Sequence, residues 1–238
     1  RLALRLGLRL ISGLREDVGR ALVDHRQSGG PFASLTELRR RTGMDRGSLE
    51  KLANADALTS VAAMPRRKML WAIRGLAPTT RDLLHDVEPT DLDAPLPKAT
   101  PMEEVLADFQ SFGLSLKAHP LGLLRPELNR RRMVRARDLL ELPDGRRVTV
   151  AGLVIARQRP GTASGVVFMS LEDETGIANV VIWPKVFEQY RKVTVRASLL
   201  AISGTLQRSG LVANVIASHL EELVLEDQEL TARSRDFH

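Results

Sequence analysis

The chain has 238 residues, 43% of them apolar and 4% aromatic, and a net charge of +6. That supplies enough apolar side chains for one or two buried cores, built from Leu, Val, Ile and Ala rather than from rings. The lack of cysteine excludes disulfides, thiolate metal sites and cysteine nucleophiles, and no apolar stretch approaches the ~20 residues that span a bilayer.

The start, RLALRLGLRL, carries an arginine every few residues and is not a signal peptide. A cytoplasmic protein with no membrane partner is expected, and the Arg1 start predicts a fragment or a processed product. Charge is uneven. Residues 1–75 hold 15 Lys/Arg against 7 Asp/Glu, a net of +8; residues 76–142 carry −2, and residues 143–238 are neutral. A basic first region predicts a polyanion partner, with a solvated arginine-rich surface as the alternative.

The first 75 residues read as helices. Leu14, Val18, Leu22 and His25 recur at helical spacing, and SGGP at 28–31 ends that segment. Ser34 with Glu37 forms a capping box for a short helix carrying Leu35 and Leu38, closed by Gly43. Asp45 caps the next helix, with Leu49, Leu52 and Ala53 inward. A fourth follows Pro65, with Met69, Leu70 and Ile73 inward and Arg66, Arg67 and Lys68 at its start.

Two turns in this region match each other. Gly13, Leu14 and Arg15 align with Gly43, Met44 and Asp45, thirty residues on. The spacing resembles a tandem helix-hairpin-helix, in which a glycine turn frees backbone N–H groups at a helix N-terminus to hold a DNA phosphate. The candidate duplex contacts are Gly13, Leu14, Arg15, Gly43, Met44 and Arg46. Arg15 adds a cation where Asp45 would repel a phosphate, so the first hairpin is expected to contact DNA more directly.

Residues 76–101 place five prolines (78, 89, 95, 97 and 101) among acidic residues and read as a linker or extended strap. A helical connector is expected over 102–142, first from about Met102 with Val105, Leu106 and Phe109 on one face, then from His119–Pro120. His119 reads as a cap or packed residue. The run NRRRMVRARDLL (129–140) is either a solvated basic face or a phosphate-contacting stripe.

From Arg147 the pattern becomes strands. VTVAGLVIAR has a mid-strand Gly152 suited to a bulge or bend, and GVVFMSLEDETGIANVVIW reads as a hairpin. A short helix over 184–193 presents Val186, Phe187 and Tyr190 on one face, and two more strands flank a turn at Ser209–Gly210. Five strands with a helix after the third give the OB-fold order. The predicted fold is therefore α+β and multidomain, a tandem helix-hairpin-helix region, a linker with short helices, and a C-terminal OB-fold barrel. The boundaries are 1–75, 76–101, 102–142, 143–225, and a mobile polar tail over 226–238.

On the barrel, alternation sends Val167, Met169 and Leu171 inward and Phe168 outward, so Phe168 and Trp183 are the candidate stacking residues for a single strand. Arg157, Arg159 and Arg208 lie in the loop regions and complete that candidate set. A purely structural or protein-docking barrel is the competing reading. The cluster Glu172, Asp173 and Glu174 is expected to be the turn between strands two and three, with Asp173 and Thr175 bonding back to the turn's backbone. His25, His85, His119, His219 and His238 are scattered, so neither metal ligation nor triad catalysis is expected.

The segments GPFASLTELRRRTG, GLSLKAHPLGLL, AGLVIARQRPGTASGVVFMSLEDETG, NVVIWP and SRDFH together resemble one family along nearly the whole chain. It is the C-terminal region of the error-prone (ImuC-type) bacterial DNA polymerase III alpha subunit, a C-family translesion polymerase. The resemblance implies a parent enzyme extending primers on damaged DNA with Mg2+ and catalytic aspartates upstream of Arg1. This region would then be non-catalytic and need no cofactor, gripping duplex through the hairpins and single-stranded template through the barrel. Replicative relatives carry a clamp-binding motif, a glutamine followed by apolar residues ending in Phe, between these domains. The counterpart here, TRDLLHDV (80–87), has neither residue, so direct sliding-clamp binding is not expected. Recruitment through accessory translesion proteins of the ImuA/ImuB type is. The alternatives are a module that docks such proteins, or the equivalent region of a replicative alpha subunit.

Overall fold

In the computed structural model, which describes residues 6–76, 95–223 and the backbone of 235–237, the helices of the first region form where their caps dictate. Helix α1 (Glu16–Gly29) ends at Gly30, with φ 75°. Helix α2 (Leu35–Thr42) starts where Ser34 accepts a hydrogen bond from the Glu37 amide. The return bond of the capping box goes to the Ala33 amide, 2.7 Å from Glu37 Oε2. Helix α3 (Arg46–Asn54) starts at Asp45, whose side chain accepts from the Ser48 amide, and α4 (Arg66–Gly75) follows Pro65. Leu38, Leu49, Leu52, Leu58 and Ile73 form the buried centre of one cluster among these helices. Each such side chain contributes roughly 1.5–3 kcal/mol on burial.

Arg66 is buried, which its place in a basic helix start did not predict. Its guanidinium pairs with Asp108 and donates to the Glu104 carbonyl at 3.1 Å, both on α5 (Pro101–Phe112). Arg67 donates to the Pro97 carbonyl (2.8 Å) and Glu103 (2.9 Å), tying the end of the Pro-rich strap to α4. Thr100 and Glu103 complete a reciprocal capping box at the start of α5. Residues 77–94, with the TRDLLHDV segment and His85, lie outside the described residues, as do residues 224–234 of the tail and His238.

The chain divides into two compact units, residues 1–114 and 115–238. The connector expected over 102–142 is therefore shared out. Helix α5 belongs to the first unit, whereas α6 (Pro120–Arg130) and a 3-10 turn (Ala136–Glu141) belong to the second.

The second unit is a closed five-stranded barrel with the OB order. Strands β1 (Arg147–Gln158), β2 (Val167–Asp173) and β3 (Gly176–Ile182) precede two short helices, α7 (Pro184–Gln189) and α8 (Arg191–Arg196). Strands β4 (Leu199–Ser209) and β5 (Val212–Glu222) follow. Spatially the order is β2-β3-β5-β4-β1, closed by β1–β2 pairing. Strand β1 makes closure possible by serving two partners. Residues 147–153 pair with β4 and residues 153–158 with β2, with a bulge between Val154 and Ala156. Gly152 sits at the changeover, where a Cβ would lie 2.6 Å from that of Leu171, so the mid-strand glycine is required by close strand approach.

Alternation along the strands buries Val150, Val154, Met169, Leu171, Val180, Ile182, Ile202 and Val215 in the barrel core, and Phe187 of α7 joins the same cluster. Two segments outside the barrel cover the edges β1 leaves free. Val134 bridges Val150, and a short strand, β6 (Arg235–Phe237), runs parallel to residues 156–158. The tail expected to be mobile over 226–238 thus contains a paired strand at 235–237, because the second half of β1 has ladder groups that β4 does not reach.

Candidate nucleic-acid interface

The two hairpin turns share one backbone shape. Gly13 and Gly43 are left-handed (φ 70° and 63°), and Arg15 and Asp45 follow as extended N-cap residues (φ −72° and −71°). Only the glycines enter the left-handed region, which a Cβ makes costly. Lys51 Nζ on α3 donates to the Gly13 carbonyl at 2.6 Å, a link between the hairpins that the sequence did not point to.

The caps differ electrostatically. Over α3, Asp45 accepts from the Ser48 amide at 2.8 Å and the Ser48 hydroxyl at 3.0 Å. The Ser48 amide holds the Asp45 carboxyl below its ordinary value, so this helix start already carries its own anion. Over α1, Arg15 supplies no side-chain acceptor. Its guanidinium pairs instead with exposed Asp17, with Nε 3.0 Å from Oδ1. Leu14 is partly buried and Met44 is core, so these two brace the turns while the glycine backbone stays exposed. Arg46 is exposed and pairs with Glu50 at 3.4 Å.

On the barrel, Phe168 is 41% and Trp183 53% exposed. Phe168 lies opposite Val181, so Trp183, two residues beyond on the same face, is its diagonal neighbour. The row through Phe168 runs from Gln158 to Val181 and Ile216; the next runs Ala156, Ser170, Asn179, Asn214. Two rings are thus bordered by amide and hydroxyl side chains, a surface able to stack bases and bond their edges. Asn179 and Asn214 were not among the predicted residues, although the period of two through GIANVVIW already groups Asn179 with Trp183.

The three barrel arginines differ in freedom. Arg157 is half-buried, its Nε donating to the Thr194 carbonyl at 2.8 Å and its Nη2 to that of Ala197. It thereby caps the C-terminal carbonyls of α8. Arg159 is exposed and lies 4.6 Å from the centre of the Phe187 ring. Arg208 is exposed and donates to the Leu142 carbonyl at 3.1 Å.

The acidic turn is a latch. Asp173, 4% exposed, accepts from the Thr175 amide (2.7 Å), the Thr175 hydroxyl (2.6 Å) and the Gly176 amide (3.1 Å), as expected of a self-bonded turn. It also accepts from the Ala136 amide at 2.8 Å and Arg125 Nη2 at 3.3 Å. Glu174 takes Arg125 in a two-pronged contact at 2.6 and 2.8 Å. His119 caps α6 by accepting from the Leu121 amide at 3.2 Å, and burial pushes its imidazole below the ordinary value. These oxygens face arginines and amides, and among the described residues no group of three or more His, Cys, Asp or Glu could hold a metal.

A helix-hairpin-helix motif family matches residues 1–69, and an OB-fold nucleic acid binding domain family matches residues 148–223. The chain is 46% identical over 235 residues to the error-prone DNA polymerase of Anaeromyxobacter dehalogenans, covering 99% of this chain and 20% of that protein. It is 42% identical over 231 residues to error-prone DNA polymerase 1 of Rhizobium meliloti (94% and 20% covered). It is 42% identical over 237 residues to the error-prone DNA polymerase of Ralstonia nicotianae (99% and 22%). The chain spans about a fifth of the length of these curated relatives. Over 94–99% of its length the chain, with its helix-hairpin-helix and OB-fold regions, thus matches a fragment of the larger error-prone DNA polymerases.

Proposed function

We propose that this chain is a DNA-binding, non-catalytic segment of a translesion polymerase active in damage-induced DNA synthesis. Nucleotidyl transfer with Mg2+ belongs to the remainder of the parent protein. The first unit grips duplex through the exposed turn at Gly13 and Arg15, with the Asp45-capped turn at Gly43 and Arg46 more weakly engaged. The barrel holds single-stranded template on the β2–β3 face, with Arg159 and Arg208 at its loops. The observation that carries this reading is the outward pair Phe168 and Trp183 on the face that OB barrels use for oligonucleotides. A second reading, docking of accessory translesion proteins of the ImuA/ImuB type, draws on exposed Ile177, Leu211 and Val212 beside that face.

Fluorescence anisotropy with duplex and single-stranded DNA across a salt series tests the proposal. Arg15→Glu is expected to weaken duplex binding and reduce its log–log salt slope by about 0.9 for one lost phosphate contact. Phe168→Ala with Trp183→Ala is expected to cost single-strand binding roughly 1–3 kcal/mol for each base unstacked. Unchanged duplex affinity would refute the hairpin assignment, and unchanged single-strand affinity would favour protein docking.

A further inference from the structure

Two arginine pairs that the reading above leaves unused meet on the barrel. Arg131 and Arg132 come from the basic run after α6, and Arg146 and Arg147 from the start of β1. They line one cleft of about 530 Å³, whose floor includes Thr149 and Ser203. The fold brings them together through backbone pairing. The Val134 amide donates to the Thr149 carbonyl at 2.8 Å, which lays residues 131–134 along β1. Thr149 faces Ser203 across β1–β4, their hydroxyls 2.8 Å apart.

Three of the four arginine charges in this cleft are uncompensated. Arg131 is held by Glu221, with both oxygens at 2.8 Å. Arg132, Arg146 and Arg147 are exposed, and among the described residues no carboxylate lies within ion-pair distance of them. Arg132 also adopts φ 56°, a left-handed conformation that costs a residue with a Cβ about 1–2 kcal/mol. That left-handed turn closes α6, the Met133 amide donating to the Leu128 carbonyl at 2.9 Å, and it places Arg132 among the residues that line the cleft.

We propose that this cleft binds the sugar–phosphate backbone of single-stranded DNA, as a second contact on strands β1, β4 and β5, apart from the aromatic face of β2 and β3. Guanidinium groups with hydroxyls beside them match phosphate oxygens, and the ring that lines the cleft, His219, is held by the Tyr190 hydroxyl 2.7 Å from its Nδ1. The volume is that of a small-ligand site, with room for one or two phosphates and their sugars rather than for a duplex. The inference rests on the reading that the barrel holds single-stranded template. It adds that the strand is anchored by its phosphates, without regard to sequence, beyond the stacking pair.

The test is anisotropy of the whole 238-residue chain with fluorescein-labelled oligo(dT) across a salt series. The double variant Arg132→Gln, Arg146→Gln is compared with Phe168→Ala, Trp183→Ala. Losing two phosphate contacts is expected to reduce the magnitude of the salt slope by about 1.4 and to lower affinity on the order of tenfold. The aromatic variant is expected to lose affinity with its slope unchanged. If the arginine variant keeps both affinity and slope while the aromatic variant weakens, the cleft proposal fails and the single-strand reading stands. If the wild-type chain does not bind oligo(dT), the underlying reading fails as well. Full displacement by millimolar thymidine monophosphate would make the cleft a mononucleotide site. Tighter binding of an oligoglutamate peptide, lost in the arginine variant, would make it a protein contact; either outcome overturns the proposal.

Discussion

His119 shows how far one residue's role follows from its neighbours in sequence. The Pro that follows it marks a helix start, and His119 caps α6 there. Its titration depends on what folds around it. Burial is the larger influence and lowers its pKa, while Glu172, Glu174 and Asp173 pull the other way and Arg125 adds to the lowering. The unfolded imidazole takes its proton near its ordinary 6.5, and the folded one only at lower pH. Between those values the unfolded state binds more protons, so this contribution is complete above 6.5 and is lost as pH falls through the folded value. His119→Asn can keep the cap through its side-chain oxygen. It is expected to flatten the fall in barrel stability between pH 7 and 5, read by Trp183 fluorescence in a Trp71→Phe background. A slope equal to the parent's would count against burial as the cause. Arg157 teaches the same lesson, since its basic charge was legible but its engagement with carbonyls 37 and 40 residues away was not.

At the scale of elements, the turn between β2 and β3 was legible in its local half only. Asp173, Thr175 and Gly176 bond within three residues, a pattern that short-range turn chemistry requires. The other half, Arg125 at 48 residues and Ala136 at 37, joins α6 and the 3-10 turn to the barrel. No periodicity carries that pairing. Asp173→Ala leaves the Ala136, Thr175 and Gly176 amides without their acceptor while Arg125 keeps Glu174, and is expected to destabilise the barrel unit by about 1–3 kcal/mol. Urea unfolding followed by Trp183 in the Trp71→Phe background measures it. A loss below about 1 kcal/mol would show that the Arg125–Glu174 pair alone holds the latch. The hairpins were more legible as elements, because glycine at a left-handed turn position, joined in the second hairpin by the capping Asp45, is a local requirement.

For the whole molecule, the two hydrophobic clusters draw on separate stretches, residues 8–112 for one and 134–220 for the other. Residues 1–114 and 115–238, produced separately, are therefore expected each to unfold in one cooperative transition, checked by circular dichroism. Failure of the second piece to fold would mean that α6 and the latch do not suffice to complete the barrel. From sequence alone, the helices of the first region, the five strands in OB order and the outward place of Phe168 were all determined. Periodicity, caps and glycine turns act over a few residues and are written in the chain directly. Only the tertiary structure decided that the acidic turn is a latch, that Arg66 and Arg157 are structural, and that four arginines from two runs share one cleft. Those roles depend on which distant groups barrel closure brings within hydrogen-bonding reach, and a linear pattern carries no record of that distance.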